Sequence, residues 1–375
     1  MTEADFLVVG AGIAGASAAA ELAAHGRVVV LERESQPGYH STGRSAALYT
    51  ETYGNHVIRA LTVASGRFLR NPPAGFADHP LLTPRGTLLI GRADQRAALD
   101  GAYAELRGLA PGIERVDAAA ARALVPVLDA RYVASGIYEA DATDMDVHAI
   151  HNGFLKTLRA RGGRVVTDAE VTALARRAGK WHAATRAGEF AAPVVVNAAG
   201  AWCDELARLA GVRPVGLVPK RRTAFTFDPP AGADVRPWPA VIDIAETFYF
   251  KPEAGKILGS PADETPMPPS DAQPDELDIA LAVERIERAS SLRVRRLDHK
   301  WAGLRSFVAD KTPVVGMDDR AEGFFWLAGQ GGYGIMTSPA LGRTVASLLT
   351  AGTMPTDLAE LGVTREALSP ARCRA

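Results

Sequence analysis

Apolar runs and glycines divide the chain before any single residue suggests chemistry. Phe6-Leu7-Val8-Val9 is an unbroken apolar run of strand length, and the alanine-rich stretch from Ile13 to Ala24 has the composition of a helix. His25-Gly26 interrupts it, and Val28-Val29-Val30-Leu31 reads as a second buried strand. The three elements predict one βαβ unit. Further on, Ala149 to Arg161 keeps a helical pattern, while Gly163-Arg164-Val165-Val166 and Pro193-Val194-Val195-Val196 read as strands. Phe324-Phe325-Trp326-Leu327 predicts a last strand that runs into a glycine-rich helix start, Gly329-Gln330-Gly331-Gly332-Tyr333-Gly334. This alternation is that of a parallel α/β layer. Between Leu88 and Tyr138, and again from Arg222 to about Leu297, strands, prolines and charged helices take over, which predicts a second domain.

Length and charge narrow the class. A chain of 375 residues exceeds what one core commonly fills, so two domains or one large composite are expected. Its 42 basic residues are scattered among 43 acidic ones, which excludes the concentrated basic surface a nucleic acid needs. Cys203 and Cys373 form no CxxC pair, which fits a reducing, cytoplasmic compartment. The stretch Phe6 to Ala24 imitates a signal peptide but lacks a basic leader. No segment gives the roughly 20 uninterrupted apolar residues of a membrane span, so the expected protein is soluble, or at most peripheral to the inner membrane. His148 and His151, three apart on the expected helix, have no carboxylate or thiol at ligand spacing; a solvated helix face is expected there, and no metal.

Gly10-Ala11-Gly12-Ile13-Ala14-Gly15 is a GxGxxG that follows a strand and opens a helix, the context in which the motif carries meaning. The first glycine permits the turn, the second lets the backbone approach a pyrophosphate, and the third lets helix and sheet pack closely. The helix N-terminus meets the phosphate charge. Glu32, ending the second strand, can accept from ribose hydroxyls. The motif alone does not separate FAD from NAD. Ser41-Thr42-Gly43-Arg44-Ser45 and the closing glycine-rich segment do, because a simple NAD domain requires neither and both suit an isoalloxazine ring.

At these residues the chain resembles the glycine oxidase, sarcosine oxidase and D-amino-acid dehydrogenase family of flavoproteins, and within it the D-arginine dehydrogenases. The resemblance runs through His25 to Arg33, Gly38 to Ala47, Asn197 to Cys203, Trp301-Ala302-Gly303-Leu304-Arg305-Ser306-Phe307 and Gln330 to Ile335. It implies a Rossmann-type α/β FAD domain of the D-amino-acid-oxidase and glutathione-reductase kind, assembled from residues 1–87, 144–215 and 300–375. A mostly antiparallel sheet domain, 88–143 and 216–299, would cover the flavin. It also implies that Ser41, Thr42, Ala46, Val171, Ala199, Gly200, Trp202, Gly303, Arg305, Gly331, Gly332, Tyr333, Gly334 and Ile335 hold the cofactor together with the motif residues, Glu32, Arg33, Arg44 and Ser45. Some relatives attach FAD through a cysteine in the region of Arg305 to Gly316; this chain has none there, which implies a noncovalent flavin.

An α-amino acid is oxidised efficiently only if its carboxylate is fixed so that the α C–H points at the flavin, and arginine's planar fork suits that task. The resemblance gathers Arg222, Arg305, Tyr53 and Tyr249 around the substrate; no His or Glu stands out as proton acceptor, so the Gly303 carbonyl or an ordered water is expected to orient the amine. On sequence alone Lys220-Arg221-Arg222 reads as a solvated charge run, and the two tyrosines as ordinary half-buried aromatics. Leu48, Thr50, Thr87 and Met336 fall in the implied side-chain pocket. Where D-arginine dehydrogenases carry an acid the chain has Thr87, and Leu48 and Met336 likewise replace polar residues. The expectation is oxidative deamination of neutral, apolar D-amino acids, with oxygen, a quinone or another carrier as electron acceptor. Glu51 and Asp243 are candidates for a displaced counter-charge. Oxidation of other amines or N-methyl amino acids, and service as the flavin subunit of a larger dehydrogenase, are the alternatives.

Overall fold

The computed structural model describes residues 1–110 and 112–374. Its first sheet has six strands in the order Arg164–Val166, Val28–Leu31, Phe6–Val9, Val194–Asn197, Phe324–Ala328 and Val314–Met317. The first five are parallel and the last is an antiparallel edge. Both faces are covered, which explains the unbroken apolar runs. On one face lie the helices Ile13–Leu22, His56–Arg70, Val147–Ala160 and Gly334–Thr350, with Ala16, Leu61, Ile150 and Leu341 in one core cluster. The other face packs against a small antiparallel sheet, residues 173–192, through Trp181, Phe190 and Phe324.

The second sheet has eight strands in the order His299–Phe307, Val218–Phe227, Lys256–Ser260, Tyr249–Glu253, Ala240–Asp243, Thr87–Gly91, Ser135–Glu139 and Ile113–Asp117. All contacts are antiparallel except that of Ala240–Asp243 with Thr87–Gly91. Strand residues alternate between two faces. Leu88, Phe225, Val241 and Phe250 are buried on one, against Ile279, Ala282 and Ile286 of the helix Glu276–Ala289. The register puts Arg305, Gly303, Arg222, Ser260, Tyr249, Ile242, Ala240, Thr87 and Glu139 on the other.

The elements expected from apolar pattern lie within a few residues of their observed bounds. The strand His299–Phe307, which the sequence reading grouped with the cofactor pieces, is paired along its length with Val218–Phe227 in the eight-stranded sheet, and the chain rejoins the six-stranded sheet only at Val314–Met317. The two paired strands are far apart in sequence, so no local pattern announces their pairing.

His151 also departs from expectation. It is buried rather than solvated, its Nε2 2.8 Å from the Ala11 carbonyl oxygen.

Candidate active site

The cofactor cleft opens where the parallel strands end. Gly10 has φ +103°, and a methyl there would lie 2.4 Å from the Ala198 carbonyl oxygen; one at Gly15 would lie 1.8 Å from the Gly10 carbonyl oxygen. The loop therefore takes its shape only with glycine at both positions. Two neighbouring side chains fix it. Glu32 accepts from Ala11 N–H at 2.8 Å and from Glu34 N–H at 3.0 Å, and Thr42 Oγ1 accepts from Ile13 N–H at 2.9 Å. Glu32 lines the cleft as expected and also braces the loop.

Two adjoining cavities share Gly12, Ser41, Thr42, Ala198, Gly200 and Ala201. The outer one adds Glu32, Arg33, Val171, Ala199 and Trp202, with the Arg33 guanidinium 4.9 Å from the Trp202 ring centre. The inner one adds Ile13, Ala14, Arg44, Ser45, Ala46, Gly331, Gly332, Gly334 and Ile335. Ala11 and Tyr333, expected to hold the cofactor, are buried and line neither cavity. Ser41 Oγ donates to Leu304 O at 2.6 Å and Arg44 Nη1 to Ala302 O at 2.9 Å, so the loop 41–45 is stitched to the eight-stranded sheet. Gln330 lines the inner cavity with its buried Nε2 unpartnered, a donor set for a group that belongs in this space. The glycine cradle, helix N-terminus, free donor and elongated double cavity fit a flavin dinucleotide.

At the inner end the eight-stranded sheet contributes Arg222, Ala224, Tyr249, Gly303 and Arg305. Antiparallel register places Arg222 opposite Gly303 and Lys220 opposite Arg305. Among the described residues Arg305 has no acidic partner. A methyl on Gly332 would lie 2.9 Å from its Nη1, so glycine there leaves room for the guanidinium. Burial works against the charge on Arg305, but Tyr53, Tyr249 and Tyr333 beside it more than offset this. Burial and the neighbouring Arg305 draw the pKa of Arg222 below its ordinary value. Both guanidinium groups nonetheless stay charged in any ordinary buffer. Arg222 Nε donates to Asp263 O at 2.9 Å and its Nη2 lies 3.3 Å from Glu264. The supposed solvated run is thus a partly buried strand whose cations meet Asp263, Glu264 and Asp278.

Tyr53 packs edge-on to Tyr333 at 5.0 Å, which makes a third phenol of a residue expected only to hold cofactor. None of the residues lining the inner cavity is Asp, Glu or His.

Leu48, Thr50, Thr87 and Met336 do not line it. Met336 is buried in the helical core and Leu48 pairs with Asp144. Glu51 is held by Tyr49 Oη at 2.5 Å and Arg70 at 2.6 Å, and Asp243 accepts from Thr247 with its Oδ1 unpartnered. Sequence reasoning missed Glu139. It lies opposite Thr87 across the strand pair, buried, with Thr50 Oγ1 at 2.8 Å and Thr52 Oγ1 at 2.8 Å. Burial raises its pKa, the threonine hydroxyls oppose this, and Asp141 and Glu51 add to it. No cation pairs with it among the described residues.

A family model described as FAD dependent oxidoreductase matches residues 5–348. The chain is similar to the uncharacterized oxidoreductase YurR of Bacillus subtilis (strain 168), 24% identical over 366 residues, 92% of this chain and 94% of that protein. It is also 31% identical over 178 residues to the FAD-dependent oxidoreductase domain-containing protein 1 of Xenopus laevis, a match covering 42% of this chain and about a third, 35%, of the relative's length. Among solved structures, the L-proline dehydrogenase of P. horikoshii superposes with a TM-score of 0.84 at 20% identity, over 100% of this chain and 98% of that one. The glycine oxidase of Geobacillus kaustophilus does so with 0.81 at 22% identity, over 97% and 99%. These likenesses establish the fold.

Proposed function

The chain belongs to the FAD-dependent oxidoreductase family, and we propose that within it the chain oxidatively deaminates D-amino acids with neutral, apolar side chains to 2-oxo acids and ammonia. The observation that carries this reading is Arg305, a cation without an acidic partner among the described residues, set beside Arg222 and three phenols at the inner end of the cleft. An uncompensated, half-buried guanidinium is a site for a small anion, and its fork matches a carboxylate. The D configuration and the side-chain preference rest on the resemblance of Tyr53, Arg222, Tyr249 and Arg305, and on Thr87 standing where relatives carry an acid. A flavin that dissociates on denaturation is part of the reading, since neither Cys203 nor Cys373 lines the cleft.

When bound, FAD supplies the two-electron acceptor. The residues of the chain do the rest. Arg305 and Arg222 hold the carboxylate, Tyr53 and Tyr249 donate to the same anion, and the Gly303 carbonyl accepts from the amine. With no carboxylate or imidazole lining this end, the amine arrives in its neutral form, so that its lone pair can form the imine as the α-carbon gives up hydride. Water then hydrolyses the imine.

Glu139 favours a second reading, in which the substrate side chain ends in a cation or an N–H donor that meets this carboxylate, which has no cationic partner among the described residues. Anaerobic bleaching of the flavin by D-, L- and N-methyl amino acids tests the assignment. D-leucine, D-methionine and D-phenylalanine are expected to bleach it; reduction only by N-methyl amino acids, or by no amine, would overturn it.

A further inference from the structure

We propose that His151 is a positioning residue for the cofactor's pyrophosphate: by bonding the Ala11 carbonyl it turns the Gly12 N–H into the cleft. The inference presumes only the FAD site, not the amino-acid substrate. His151 projects from the helix Val147–Ala160, whose N-terminus is capped by Asp146 accepting from Ala149 N–H at 2.8 Å. Its Nε2 is 2.8 Å from Ala11 O, with the ring buried. A carbonyl oxygen only accepts, so Nε2 carries the hydrogen and donates it. Along the Cε1–Nδ1 edge of the ring, next to Nε2, a methyl at Gly38 (φ +79°) would lie 2.9 Å from Cε1. The imidazole is therefore wedged between the dinucleotide loop and the segment 38–42 that forms the facing wall of the cleft.

The neighbouring N–H groups define what this bond does. Gly10 N–H donates to Leu31 O at 2.8 Å, Ala11 N–H to Glu32 and Ile13 N–H to Thr42. Among the described residues, Gly12 is the one position from Gly10 to Ile13 whose N–H has no partner; the N–H groups of Ala14 and Gly15 in the first helical turn are likewise free. Gly12 lines both cavities. The peptide joining Ala11 to Gly12 is trans and planar, so its C=O and N–H point in opposite directions. With the carbonyl drawn to His151, the N–H is directed away from the helix and into the cleft, where a phosphate oxygen accepts it. Burial lowers the pKa of His151, only partly opposed by its bond to Ala11, and His148 nearby lowers it further. The neutral ring suffices as donor.

The test compares His151→Leu, which removes the donor, with His151→Gln, which keeps one, in reconstitution of apoprotein with FAD followed by flavin fluorescence. Loss of one oriented hydrogen bond predicts FAD binding weaker by about tenfold in His151→Leu and largely restored in His151→Gln. ADP and AMP competing with FAD separate positioning from general damage. The preference for ADP, which has the pyrophosphate, should shrink in His151→Leu, while AMP binding and the apoprotein Tm stay near those of the parent. If His151→Leu does not fold, His151→Asn, too short to reach Ala11, takes its place with the same expected loss. Unchanged FAD and ADP affinity in the variant that folds, or equal loss for ADP and AMP, would overturn the proposal.

Discussion

The cofactor cleft and the substrate wall face each other across the same inner cavity, yet they are built in opposite ways. The cleft is made mostly of backbone from short continuous stretches: 10–15, 41–46, 198–201 and 330–335 supply most of its lining. The wall proposed to meet the substrate is made of side chains brought side by side by sheet register: Arg305, Arg222 and Tyr249 come from three strands at the cavity, and Thr87 and Glu139 lie farther along the same sheet face, outside its lining. A site made of backbone tolerates change only where glycine is dispensable. A site made of side chains can be altered one residue at a time without disturbing the fold, and on this wall evolution can change the substrate while keeping the flavin.

The sharpest break in that comparison is predicted at Gly15. Even a methyl there would overlap the Gly10 carbonyl, so Gly15→Leu cannot keep the loop closed against the pyrophosphate. Overpacking of this kind costs about 1–3 kcal/mol or more, and the charge-assisted contacts of the loop are lost with it. The variant is expected to purify colourless and to remain so with added FAD. The core of the eight-stranded sheet has its own apolar cluster and should stay resistant to limited proteolysis. Retention of flavin would show that the cleft does not depend on its glycines.

Arg305→Ala comes next in size and strikes only the wall. Leaving a carboxylate without its charge-assisted partner costs about 2–5 kcal/mol, roughly a thirtyfold to several-thousandfold loss in kcat/KM. The flavin absorbance should be unchanged. Arg305→Lys keeps the charge without the fork and should recover part of the loss. Unaltered flavin reduction by amino acids would remove Arg305 from substrate binding.

The same division explains what the sequence made legible. The βαβ unit was readable because apolar runs, glycines and a terminal acid lie within Phe6 to Glu32 in the order the chemistry needs. The parallel strands were readable because burial on both faces leaves them uniformly apolar. The run Lys220-Arg221-Arg222 was misleading on its own terms, since its acidic partners lie some forty to sixty residues further on, in positions 263 to 278. Glu139 was invisible for the same reason: its threonine partners are 87 and 89 residues away. For His151, helical spacing announced the helix but not which loop the imidazole would touch.

A smaller, graded effect follows from the absence of Asp, Glu and His in the lining of the inner cavity. With no base to take the amine proton, kcat/KM for flavin reduction should rise with pH, about tenfold per unit below the pKa of the substrate amine, and then level off. The Tyr333 phenol, raised above its ordinary range by burial and by Tyr53 against the opposing charge of Arg305, stays protonated through this range and adds no downturn. Stopped-flow reduction across the pH range measures it. A flat profile would mean that a protein group serves as the base.

The finest distinction concerns Thr87 and Glu139, neighbours on one face of the wall that support opposite side-chain preferences. If the pocket is apolar in function, D-leucine and D-phenylalanine gain about 25 cal/mol for each Å² they bury, while D-arginine and D-lysine lose water without gaining a partner. The parent should then prefer the apolar pair by about tenfold, the equivalent of 1.4 kcal/mol. Thr87→Glu should narrow that gap, because it places a second carboxylate beside Glu139. Glu139→Gln distinguishes the two readings. Under the apolar reading Glu139 serves to hold Thr50 and Thr52, and the variant should leave the ratio of kcat/KM for D-leucine and D-arginine where it was. Should Glu139 instead receive the substrate's cation, Glu139→Gln would depress D-arginine oxidation selectively. In the parent that oxidation would fade as pH drops through the raised pKa of Glu139, since protonation removes the charge that attracts the guanidinium. A wild-type preference for D-arginine that Glu139→Gln abolishes would move the specificity of this wall from Thr87 to the strand beside it.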